Sequence, residues 1–149
     1  VFMGGCGESY DIQTDTEFHA AADEAIEQCL RGEENFDLLY ENFSDRYDAE
    51  EMDEFVFGIY EEREAEIEAQ INALNQEVEA QIAKEDEFVA KLDGINDITV
   101  YDKLIENIEQ SEARLEELKM EIDATEDYYR MIEILEEMVE IYKQTYASI

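Results

Sequence analysis

The chain of 149 residues has no proline, no tryptophan, one histidine, two cysteines and six glycines. With no proline to break a helix and few glycines to loosen one, long uninterrupted helices are expected and the fold class is all-α. The single His19 narrows the chemistry. A di-iron helical site needs a Glu three residues before a His, and Thr16 holds that place. A Cys–His pair is excluded on one helix, because Cys29 and His19 are ten positions apart and point about 80° away from each other. Basic residues are the scarcest class relative to their opposites: ten Lys and Arg face 43 acids, for a net charge of -33. Such a surface repels nucleic-acid phosphates and anionic headgroups and favours cations or basic partners. Halophilic adaptation is another source of acidity. Thirty Glu against thirteen Asp, with fifteen Ile, weigh against it, since Glu is the favoured acid of an exposed helix.

What is present is heptad pattern. From Thr99 to Tyr146 the positions Leu104, Ile108, Ser111, Leu115, Leu118, Ile122, Thr125, Tyr129, Ile132, Leu135, Val139, Tyr142 and Tyr146 advance by threes and fours, the mean step of a coiled-coil seam. From Asp48 to Leu92 a matching stripe runs through Met52, Val56, Tyr60, Glu64, Ile67, Ile71, Leu74, Val78, Ile82, Glu85, Val89 and Leu92. Folded at Ile95 and Asn96, the two stripes pair Val89 with Leu104, Val78 with Leu115, Ile71 with Ile122 and Tyr60 with Ile132, as an antiparallel hairpin requires. Gly94 is expected to end the first helix in a left-handed conformation, and Thr99 with Asp102 to cap the second.

Ahead of the hairpin, Thr14 and Glu17 have capping-box spacing, and Phe18, Ala22, Ala25, Ile26, Cys29 and Leu30 share one helical face up to Gly32. Phe36, Leu39, Tyr40 and Phe43 mark a second, shorter helix. The apolar faces widen near Met52–Tyr60 and along Tyr128–Tyr146, and the two N-terminal helices are expected to cover them as a small bundle. Between about residues 68 and 124 the stripe narrows to a strict seam, which predicts a projecting coiled-coil arm. Glu85 opposite Ile108, and Ser111 opposite Ile82, are expected to weaken that arm. Residues 84–119 hold five of the ten basic residues.

The start of the chain, Phe2-Met3-Gly4-Gly5-Cys6, resembles a bacterial lipobox: an apolar tail, two small residues that admit the signal peptidase, and a thiol to take the lipid. Residues 1–5 would then close a signal peptide upstream, Cys6 would be lipidated, 6–14 would be a tether, and 15–149 the helical bundle. A disulfide between Cys6 and Cys29 is disfavoured, and Cys29 is expected as a buried free thiol.

The acidic groups Glu61, Glu62, Glu64 and Glu133, Glu136, Glu137, Glu140 have the oxygens to hold divalent cations weakly but read as solvated faces. Asp93-Gly94-Ile95-Asn96-Asp97 departs from the calcium loop, in which acids precede the glycine and a Glu closes the site. The tyrosines of the last helix read as core or as a ligand wall. The lipobox-like start, Ile59-Tyr60-Glu61-Glu62-Arg63-Glu64, and the ending from Tyr128-Tyr129-Arg130 to Tyr142 resemble the cell-wall-binding lipoproteins of Gram-positive bacteria. That resemblance implies an envelope-bound, non-enzymatic helical protein. The expectation is therefore a lipid-anchored binding or scaffold protein on the extracytoplasmic side of the cell membrane, needing no cofactor or metal. Its partner would be a wall polymer or envelope protein rather than nucleic acid. Gly94, Ile95, Asn96 and Ile98 form a candidate interaction tip. The alternative is a soluble acidic coiled-coil adaptor or a DNA mimic.

Overall fold

The computed structural model describes residues 9–149, so Cys6 and residues 1–5 lie outside the described residues. The fold is all-α. Six helices and no strand occur among the described residues: α1 (Thr16–Leu30), α2 (Phe36–Asn42), α3 (Ala49–Ile82), α4 (Glu85–Asp93), α5 (Ile98–Ala124) and α6 (Tyr128–Tyr146). The chain divides into two compact units, Val1–Glu66 and Ile67–Ile149. No helix among the described residues is long and apolar enough to cross a membrane.

In the first unit α1 buries the face its spacing predicts, through Phe18, Ala22, Ala25, Ile26 and Leu30. Phe18 is the hub, meeting the rings of Phe43, Tyr47 and Phe55 edge-on at 5.1, 5.3 and 5.5 Å between centroids. This geometry sets positive ring edges against negative faces. After α1, Gly32 takes φ 88°, a left-handed conformation that a side chain would disfavour. The N-cap of α1 is Asp15 rather than the expected Thr14: its carboxylate accepts from the Phe18 N–H at 3.1 Å. The same carboxylate accepts from the Tyr47 hydroxyl at 2.6 Å and from the Arg46 guanidinium at 3.0 Å. Donation from Tyr47 above all, with the Phe18 N–H and Arg46, outweighs burial and holds the Asp15 carboxyl down at about 2.

Residues 10–14, expected as tether, are folded onto this unit. Ile12 is buried, its carbonyl accepts from His19 Nε2 at 2.6 Å, and the Arg46 guanidinium lies 4.2 Å above the Tyr10 ring. His19 is a boundary residue, as expected, and stacks on Phe55. Cys29 is a half-buried free thiol whose pKa is raised, chiefly by desolvation. On the N-terminal part of α3, Arg63 pairs with Asp23 and Glu27 of α1.

In the second unit the hairpin forms. Val78 of α3 shares a buried cluster with Leu115 and Leu118 of α5, flanked by Ile71, Leu74 and Ile122, and Leu92 of α4 meets Leu104 nearer the turn. The course of both limbs differs from the expected hairpin at two breaks. First, the helix expected from Thr99 to Tyr146 is two. Thr125 leaves the helical region at φ -94°, ψ 142°, its Oγ1 accepts from the Asp127 N–H at 3.2 Å, and the Asp127 carboxylate caps α6 by accepting from the N–H groups of Tyr129 and Arg130. The chain turns back there, and α6 lies antiparallel to α5, with Arg130 bonded to Glu121, Arg114 to Glu137 and Thr145 to Ser111. Ile134, Leu135, Met138, Val139 and Tyr142 therefore join the Val78–Leu115–Leu118 cluster. The wide face of α6 is covered by α5 and α3, and this part of the chain is a three-helix bundle rather than a two-stranded coil.

Second, the first limb breaks at Ala83 and Lys84, where the Lys84 N–H donates back three residues to the Gln81 carbonyl at 3.0 Å. The break rotates the stripe. Phe88, 5% exposed, takes the inward position expected of Val89, which is 43% exposed. At the turn, Gly94 is right-handed (φ -81°, ψ -5°), not left-handed, and α5 is capped by Asp97 rather than Thr99.

Candidate functional site

The expected tip is a tight, capped turn. Ile95 donates its N–H to the Leu92 carbonyl at 3.1 Å, and the Asp97 carboxylate accepts from Thr99 and Val100. The two isoleucines part company there. Ile95 packs against Phe88, Leu92 and Leu104, whereas Ile98 is 72% exposed; Gly94 and Asn96 are exposed as well. The tip is a small structural turn with one projecting apolar side chain.

The larger concave feature of the second unit lies where α6 returns past the hairpin. A groove of about 620 Å³ is lined by Ile82, Phe88 and Val89 of the first limb, by Ile105, Ile108 and Leu115 of α5, and by Tyr142 and Tyr146 of α6. Its aromatic wall is ordered, with the Tyr146 ring 5.3 Å from that of Phe88 and 5.9 Å from that of Tyr142. Glu85, Glu112, Glu116 and Lys119 also line it. Burial first, and then the charges of Glu85 and Glu112 with the Tyr142 phenol, push the Tyr146 phenol above its ordinary pKa.

Sharing Ile108, Ser111 and Thr145 with the groove, a more polar cleft of about 430 Å³ runs past Asn107, Gln110, Arg114, Glu137 and Gln144. The Arg114–Glu137 pair in it is bidentate, at 2.7 and 3.0 Å, so both charges are already matched. Hydrogen bonding to Arg114 lowers the Glu137 pKa, and the same bond raises that of Arg114. Of the acidic groups considered for cations, Glu133 and Glu137 lean on Arg130 and Arg114, and no set of three or more metal-binding side chains converges among the described residues.

The groove was legible only as a fault. Ile82, Glu85, Ile108 and Ser111 read along the sequence as mismatches of a two-stranded seam, and all four line the groove. With α6 alongside, they border a space between it, α5 and the first limb. The Ser111 hydroxyl accepts from Thr145 Oγ1 at 3.2 Å, which ties the two side chains together within the wall. Compared with protein-family models, with curated proteins and with solved structures, the chain matches none.

Proposed function

We propose that this is a non-enzymatic binding or scaffold protein of the cell envelope, held on the extracytoplasmic side of the membrane by a lipid on Cys6. The observation that carries the reading is the run Phe2-Met3-Gly4-Gly5-Cys6, whose order of apolar, small and thiol residues suits lipid transfer to the Cys6 sulfur. Two or three acyl chains hold a protein firmly where one holds only marginally. Binding rather than catalysis is supported by the groove of the second unit. Its lining is mainly aliphatic and aromatic, with Glu85, Glu112, Glu116 and Lys119 among the apolar groups, and the Thr145 hydroxyl donates to the Ser111 oxygen rather than to a base. An envelope protein or a wall polymer fits the reading as partner, and the strongly negative surface disfavours nucleic acid.

The test is fractionation of cells making the full gene. Wild type is expected in the membrane fraction and the Cys6→Ala protein in the soluble one. Retention of Cys6→Ala in the membrane to the same extent as wild type would overturn the anchor.

A further inference from the structure

We propose that the groove of the second unit receives the apolar face of a basic amphipathic helix about four turns long, supplied by a partner protein. Its length follows from α5, where the groove residues run from Ile105 to Lys119, about 21 Å at 1.5 Å per residue. Its apolar face follows from the lining. Ile82 and Val89 are 40% and 43% exposed and Ile105 and Ile108 are half-buried, and above the buried Phe88 they leave a strip of hydrocarbon in contact with water. A helix suits this strip because its walls are the sides of helices, whose ridges accept another helix, and no strand edge exists among the described residues to extend.

The occupant's charge follows from the rim. Arg114, Arg130 and Lys143 are paired with Glu137, Glu121 and Glu77 elsewhere in the unit. Among the described residues Glu85, Glu112 and Glu116 have no salt-bridge partner, and only Lys119 shares the groove with them. Three unmatched carboxylates beside an apolar strip complement Lys or Arg on the flanks of an apolar face. A second copy of this chain, with its net charge of -33, brings the wrong sign.

The proposal rests on the binding reading above but not on the anchor. The probe is a fluorescein-labelled helix of about 16 residues with leucines on one face and lysines on the other. It is titrated against the full chain and followed by anisotropy, beside a scrambled peptide of the same composition and a leucine–glutamate counterpart. Val89→Glu and Ile82→Glu place a charge in the groove at exposed positions. Met120→Glu adds the same charge at a site 68% exposed and outside the lining. The patterned basic peptide is expected to bind wild type and Met120→Glu alike, and each groove variant about tenfold more weakly, the equivalent of ~1.4 kcal/mol. Two groove variants are used so that one misfolded protein, detected by circular dichroism, leaves the other to decide. Equal binding of the scrambled peptide would mean attraction by charge alone and overturn the proposal. So would equal binding by the groove variants, a preference for the glutamate peptide, or a wild-type dimer that Val89→Glu dissociates. Cys6→Ala protein is expected to bind the peptide as wild type does, so failure at the groove and failure of the anchor are separate results.

Discussion

Replacing Phe88 and Val89 by alanine, one at a time, separates the three-helix bundle from an unbroken two-stranded seam. In the seam Val89 faces Leu104 and Phe88 points away; in the structure Phe88 sits with Leu92, Leu104 and Tyr146, and Val89 is exposed. Phe88→Ala removes a ring packed among these side chains and leaves a hole that only partly collapses, at a cost of about 3–5 kcal/mol. Val89→Ala trims a side chain already in water and is expected to stay within about 0.5 kcal/mol of wild type. In a unit of this size each kcal/mol moves the midpoint roughly 4–8 °C, so Phe88→Ala should lower it by roughly 12–40 °C while Val89→Ala barely moves it. Thermal and urea unfolding followed by far-UV and tyrosine near-UV circular dichroism provide the measurement. Each unit is fitted as its own transition where two appear. Equal losses from the two variants, or a larger loss from Val89→Ala, would refute the rotation of the stripe at Lys84.

Two further outcomes follow from the caps. Because the folded Asp15 carboxyl titrates at about 2, below its ordinary 3.8, its stabilising contribution is complete above pH 3.8 and is lost as the pH falls from there through about 2. Tyr47→Phe removes the largest cause of that depression, so the Asp15 carboxyl followed by NMR should titrate nearer its ordinary value. An unchanged titration would count against the Tyr47 bond. Asp127→Ala deletes the cap of α6 and should cost about 1 kcal/mol in urea unfolding of the second unit, and a variant as stable as wild type would contradict the chain reversal at Thr125.

The sequence carried the helices, the turn after Asp93 and the meeting of Val78 with Leu115, because a heptad stripe reports which face of a helix is apolar. It did not report what that face meets. Leu118 is inward whether its neighbour is one helix or two, and the stripe through Tyr129, Leu135 and Tyr142 keeps its step across a chain reversal. The reversal is written in Thr125 and Asp127, whose short oxygen-bearing side chains accept from nearby N–H groups, but Thr125 also fits the step of the seam. The same limit hid the groove. Glu85 and Ser111 stood out as polar residues in an apolar stripe, and only the presence of α6 turns that irregularity into a lining. Gly94 ends α4 as its position suggests, though in a right-handed conformation, whereas at the N-termini of α1 and α5 the caps are Asp15 and Asp97, whose carboxylates accept from the free N–H groups in place of Thr14 and Thr99.

The allocation of the arginines makes the chain unequally tolerant of change. Arg46 ties its loop to Asp15 and Glu17, Arg63 ties α3 to Asp23 and Glu27, Arg114 ties α5 to Glu137, and Arg130 ties α6 to Glu121. Each is a planar fork gripping carboxylates on another segment, a geometry that lysine does not reproduce. With 43 acids, most aspartates and glutamates are interchangeable under drift, since a neighbour of the same charge stands close by. Arg46, Arg63, Arg114 and Arg130 have no such understudies. In a population of descendants, substitutions should accumulate freely on the acidic faces and stop at these four positions.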